Sequence, residues 1–279
     1  MNMRRIGSIT AIILVGLAPL SAWADRLDDI LSSKKLTCGV QAATPPFGFS
    51  DPDSRKQVGH DVDLCAAIAA KLGVEPQIKP LSTEAKIPEI TLGHVDIGVA
   101  NLAYTKTRGQ QVQFSDPYYI TRETLVVPAA KGAMTLADFK GQRISTSKGS
   151  TSELAVRLQG GVPITFQDPA SAYLAVLQNK AVGFVNNEMT AHQYIRRAAE
   201  GGVQLAAIAE PMALEPIGVG MQHDQPRLLA RINGILAELE RDGELDALWN
   251  KWIGPGTAYN MVRKDKVQPM TAIAFEPLP

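Results

Sequence analysis

Short apolar runs and helical stripes alternate along this chain. Leu36 to Val40 has strand length; from Asp61, read as a helix cap, the apolar positions Leu64, Cys65, Ile68, Ala69 and Leu72 recur at helical spacing until Gly73 stops them. Gln77 to Leu81 reads as a strand, Glu84 to Leu92 as a short helix closed by Gly93, and Val95 to Val99 as a third strand. The order β, α, β, α, β with short connections predicts a parallel, doubly wound α/β sheet. A run of β-formers, Glu123 to Val127, then crosses away and the pattern restarts: strands at Arg143 to Thr146, Ile164 to Gln167 and Ala181 to Val185, helices opening at Gly149, Ala170 and Glu188. Pro216 to Met221 is a second crossing run. Leu228 to Arg241 follows as an amphipathic helix with Leu229, Ile232, Ile235, Leu236 and Leu239 as its stripe, and Leu245 to Trp252 as one more helix. Two lobes joined by two crossings can hinge.

The halves echo each other in Leu92 to Asn101 and Leu177 to Asn186, each a helix end, a turn and a strand finishing on a polar residue. Ligands of open α/β sheets sit outside such strand ends. Beyond the first lies Thr105, a helix cap, with Arg108 in the following turn; a guanidinium offers a rigid fork that fits a carboxylate. In the second half, Gly149-Ser150-Thr151-Ser152-Glu153 is a capping box whose helix start has free amide donors and a positive dipole end, which suit an anion. Arg108 and this helix start read as two halves of one carboxylate clamp.

Composition narrows the field. The 279 residues carry 28 basic and 28 acidic side chains, which leaves no electrostatic footprint for nucleic acid. Arg4 and Arg5, the apolar stretch Ile6 to Leu20 and Ala22-Trp23-Ala24 read as a cleaved signal peptide over 1–24, with export to a periplasm. Cys38, in the first strand pattern, and Cys65, in the first helix, read as a disulfide in that compartment, with two buried thiols as the other reading. His60, His94, His192 and His223 are scattered and make no metal site, and no nucleophile elbow, Walker loop or dinucleotide fingerprint is present. No cofactor or metal is expected. The division that follows is 1–24 signal, 25–125 first lobe, 126–218 second lobe, and 219–279 a return to the first lobe with a C-terminal tail.

Several stretches, in order, resemble the bacterial extracellular solute-binding proteins of family 3: Cys38-Gly39-Val40, Pro46-Phe47, Gly59 to Leu64, Thr105 to Arg108, Phe114 to Tyr118, Leu136 to Gly141, Gly149 to Glu153 and Trp249 to Trp252. The resemblance implies a type II periplasmic-binding-protein clamshell that delivers polar amino acids to an ABC transporter permease, works as a monomer, and holds the ligand α-carboxylate with Arg108, Ser150 and Thr151. Gly149 to Glu153 and Tyr259-Asn260-Met261 resemble the glutamate/aspartate-binding branch. The chain also departs from the family. Asn187 stands where the family usually holds the ligand ammonium with an aspartate, and Glu188 follows it. Ala100, Asn101 and Ala103 replace common serines, Thr44 replaces the first-loop aromatic, and Gln41 aligns with an arginine of the acidic amino-acid binders. Expected ligand contacts are therefore Arg108, Asn101, Ala103, Ser150, Thr151, Asn187, Gln41 and Glu188. A secreted cyclohexadienyl dehydratase on the same fold, with Glu188 as its acid, is the alternative.

Overall fold

The structure, a computed structural model, describes residues 25–279; the signal sequence expected at 1–24 lies outside the described residues. Helix α1 (Arg26–Ser33) leads into β1 (Lys35–Gln41) and a small antiparallel sheet of β2 (Ala43–Thr44), β3 (Gly48–Ser50) and β4 (Gln57–Val58). Then come α2 (His60–Leu72), β5 (Glu75–Leu81), α3 (Lys86–Thr91), β6 (Ile97–Ala103), α4 (Lys106–Gln111), β7 (Gln113–Phe114) and the long β8 (Tyr119–Pro128). The second half holds β9 (Arg143–Ser147), α5 (Thr151–Leu158), β10 (Val162–Phe166), α6 (Pro169–Leu177), β11 (Gly183–Asn187), α7 (Glu188–Glu200) and β12 (Leu205–Ala207). The chain returns through β13 (Ala213–Met221) to α8 (Pro226–Arg241) and α9 (Glu244–Trp252).

The main sheet runs β10-β9-β11-β8-β13-β6-β1-β5. Its outer trios are parallel, as the sequence pattern predicts, and the two crossing strands β8 and β13 pair antiparallel in the middle, so both lobes share one continuous sheet. β8 shows why its run of β-formers is apolar on both sides: Leu125 and Val127 face one core with Ile144, Val156 and Val185, while Val126 faces another with Tyr173, Phe184 and Tyr194. The first lobe packs Leu64 and Ile68 of α2 against Ile232, Ile235 and Leu239 of α8 and Trp249 of α9. Cys38 and Cys65 are joined, with Cα atoms 6.3 Å apart, tying β1 to α2. Among the described residues no helix is long and apolar enough to cross a membrane.

Asp61 does not cap its helix. α2 begins one residue earlier, after Gly59, whose φ is 137° and where a Cβ would stand 2.2 Å from the Phe47 carbonyl oxygen, which excludes any side chain. Asp61 is buried, and its Oδ2 accepts the Asn101 backbone N–H at 2.6 Å. That bond holds Asn101 at φ 45° and carries β6 past the expected end of the strand to Ala103. The C-terminal tail crosses behind the hinge: Arg263 pairs with Glu240 and Asp246 and donates to the Tyr118 carbonyl, and Asp265 accepts from the Ile120 N–H at 3.2 Å.

Candidate functional site

Arg108 stands at the carboxyl end of β6, where Thr105 caps α4 by accepting its backbone N–H at 3.1 Å. Its guanidinium donates to the Ala103 carbonyl at 2.9 Å and, across the cleft, to the Gly149 carbonyl at 3.2 Å. Two of five N–H groups are thereby used and three remain. The lobes also meet through Lys148 and Glu84, 2.8 Å apart. The cavity between them is about 30 Å³, room for about two waters. This is the closed form, and a larger ligand enters only if the lobes part.

The facing wall is the start of α5. Ser150 accepts the Glu153 N–H at 3.2 Å, while the Glu153 carboxylate reaches the Gly149 N–H at 3.1 Å rather than that of Ser150, so half of the expected capping box forms. The hydroxyls of Thr151 and Ser152 turn inward to two acids on the crossing strands. Thr151 lies 3.0 Å from Glu215 and 3.4 Å from Glu123, and Ser152 donates to Glu123 at 2.6 Å. In the β8–β13 register Glu215 lies opposite Thr121 and Glu123 opposite Ala213, which puts both acids on one face in diagonal positions. Each is 2% exposed.

Burial and then the neighbouring Glu215 raise Glu123 well above the carboxylate range. Burial raises Glu215 too, opposed by hydrogen bonds with Thr151 and Glu123 and by the charges of Arg108 and Lys86. Two buried carboxyls side by side each disfavour the other's charge, so the pair favours holding a proton. Lys86, at the start of α3, is 4% exposed and donates to the Ala100 carbonyl at 3.2 Å. Burial first, and Arg108 second, push its ammonium down to about 7.

Gln41, Asn101, Arg108, Ser150, Thr151 and Asn187 line this cavity, drawn together from both lobes. Ala103 sits behind Arg108 and contributes its carbonyl. Glu188 lies outside the lining, 3.7 Å from Arg122. Asn187 caps α7, its side-chain oxygen accepting the Thr190 N–H at 3.0 Å and its side-chain N–H donating to the Asn186 side-chain Oδ1 at 3.0 Å. Asn101 accepts the Tyr119 hydroxyl. The cavity adds residues the sequence pattern did not single out, notably Lys86, Glu123, Glu215, Ser147 and Ser152. One signal was available: Glu123 is an acid in a run of β-formers whose neighbours are buried, and a charge there needs a partner.

The model of the bacterial extracellular solute-binding proteins, family 3, matches residues 36–255. The chain belongs to that family. This solute-binding protein is 28% identical to the ABC transporter glutamine-binding protein GlnH of Bacillus subtilis, over 85% of this chain and 88% of that one. It is 25% identical to the L-cystine-binding protein TcyJ of Escherichia coli K12, over 88% and 93%. Among solved structures, an ancestral arginine-binding protein bound to glutamine is 32% identical, with a TM-score of 0.72, covering 79% of this chain and 98% of that one. An ancestral amino acid-binding protein, a precursor of cyclohexadienyl dehydratase, is 28% identical with a TM-score of 0.72, covering 82% and 100%. These neighbours carry the type II clamshell fold. The named relatives are binding proteins of transporters, which favours binding over the dehydratase alternative. Members of the family are extracellular or periplasmic.

Proposed function

We propose that this solute-binding protein works in the periplasm as a monomer and grips its ligand by the carboxylate. Arg108 and the first amides of α5 take the carboxylate, and Gln41, Asn101 and Asn187 surround the rest. The protein captures an amino acid or related small carboxylate and hands it to an ABC importer, as its relatives' roles support. The observation that carries the binding mode is the Arg108 guanidinium, buried at the seam and bonded to a carbonyl of each lobe. A carboxylate bound there contacts both walls only when the cleft is shut, so it favours the closed form by the difference between its two affinities.

A thermal-shift comparison of the L-amino acids with their decarboxylated amines tests the mode. Stabilisation by amino acids and none by the amines is the expected result; equal shifts from the amines would remove Arg108 as the carboxylate anchor.

A further inference from the structure

The tail lies past residue 255, where the match to the family model ends, and it forms neither helix nor strand from Asn260 to Pro269. Its side chains nevertheless alternate. Met261, Arg263, Asp265 and Val267 are partly covered, while Val262, Lys264 and Lys266 are exposed, the pattern of an extended segment lying on a surface. The inward groups fix it to the first lobe. Arg263, whose side chain is 4% exposed, pairs with Glu240 of α8 at 2.6 Å and Asp246 of α9 at 2.9 Å. The Met261 carbonyl accepts the Trp249 indole N–H at 2.8 Å, and the Val267 N–H donates to Glu240 at 3.0 Å.

The same segment also holds the hinge. β11 pairs with β8 only from Glu123 onward, so on that edge the stretch Tyr119 to Arg122, which passes between the lobes, has no neighbouring strand among the described residues. Backbone groups on such an edge need partners. The tail supplies them with side chains: Arg263 donates to the Tyr118 carbonyl at 2.9 Å, and Asp265 accepts the Ile120 N–H at 3.2 Å. Neither bond is part of a ladder, so both can break without unzipping the sheet. On the second lobe, Arg196 of α7 donates to the Ala258 carbonyl, and Lys264 and Asp265 lie close enough to act on the charge of Glu188 at the start of that helix.

Rotation of the lobes changes the backbone angles of the crossing strands and carries α7 past a tail fixed to α8 and α9. A bond of 3.2 Å is lost beyond about 3.5 Å, so these contacts belong to the shut setting of the hinge. We infer that residues 258–267 are a clasp on the hinge, held by the first lobe, that shifts the ligand-free protein towards its closed form. The inference is independent of what the cleft binds.

Small-angle scattering of the ligand-free mature protein tests it, and because no ligand is used its failure is separate from failure of the carboxylate reading. On a radius of gyration of about 18 Å for a compact chain of this length, Asp265→Ala should add about 0.5–1 Å while the circular dichroism melt stays cooperative. Asp265→Asn, whose side-chain oxygen can still accept the Ile120 N–H, should restore most of the wild-type radius. Arg196→Ala, which loosens the clasp from the second lobe and leaves the tail intact, should move the radius in the same direction. Val262→Ser, at an exposed tail position, should leave it unchanged. A radius equal to or smaller than wild type in cooperatively folded Asp265→Ala would overturn the clasp, as would an equal increase in Val262→Ser. If Asp265→Ala does not fold, Arg196→Ala decides by the same criterion.

Discussion

Replacing Lys86 with methionine probes how the closed cleft handles charge. The ammonium is 4% exposed, donates to a single carbonyl, and is pushed from its ordinary 10.5 down to about 7. At ~1.4 kcal/mol for each tenfold change in proton affinity, the cost of holding that proton in the folded state is on the order of 5 kcal/mol. The folded value is the depressed one. Below pH 7 both folded and unfolded chains are protonated and the full cost is present; between about 7 and 10.5 only the unfolded chain keeps the proton, so stability rises with pH across that window. Methionine fills similar space and does not titrate. Because Lys86 also steadies Glu215, part of the gain is lost, leaving the variant more stable by about 2–4 kcal/mol at pH 6. Urea denaturation of both proteins at pH 6 to 10 should show a difference that shrinks steadily towards high pH. Parallel stability curves across that range would refute the burial argument.

Two further outcomes follow from the seam and the staple. Gly149 has φ +70°, and a Cβ there would stand 3.1 Å from the Glu84 Cα, so Gly149→Ala should resist closure: ligand affinity falls about tenfold or more, and small-angle scattering of the ligand-saturated protein shows a more open molecule than wild type. Reducing the Cys38–Cys65 bond, which spans 27 positions of sequence, should cost about 3.5 kcal/mol by chain entropy, read as a melting-temperature drop on the order of 10 °C, with ligand affinity little changed.

The layers of this fold are readable from periodicity because burial imposes it. The stripe of α8 and the apolar run of β8 could face only a core, and both do. Arg108 was legible for a local reason as well: the Thr105 cap and the strand before it fix where its side chain emerges. Residues whose roles depend on distant partners were not. Asp61 carries the signature of a cap, and only the approach of β6, forty residues on, turns it into an anchor for Asn101. Glu123 and Glu215 are ninety-two positions apart and meet through strand register alone. Glu188, named from its place beside Asn187, lies outside the lining beside Arg122.

The central claim is that a carboxylate closes this clamshell through Arg108. Isothermal titration of wild type and Arg108→Ala with whichever L-amino acid stabilises wild type most in the thermal-shift comparison tests it most directly. Losing a bidentate, charge-assisted contact should weaken binding at least a hundredfold, with the circular dichroism melt still cooperative. An affinity within about threefold of wild type in the folded variant would contradict the account.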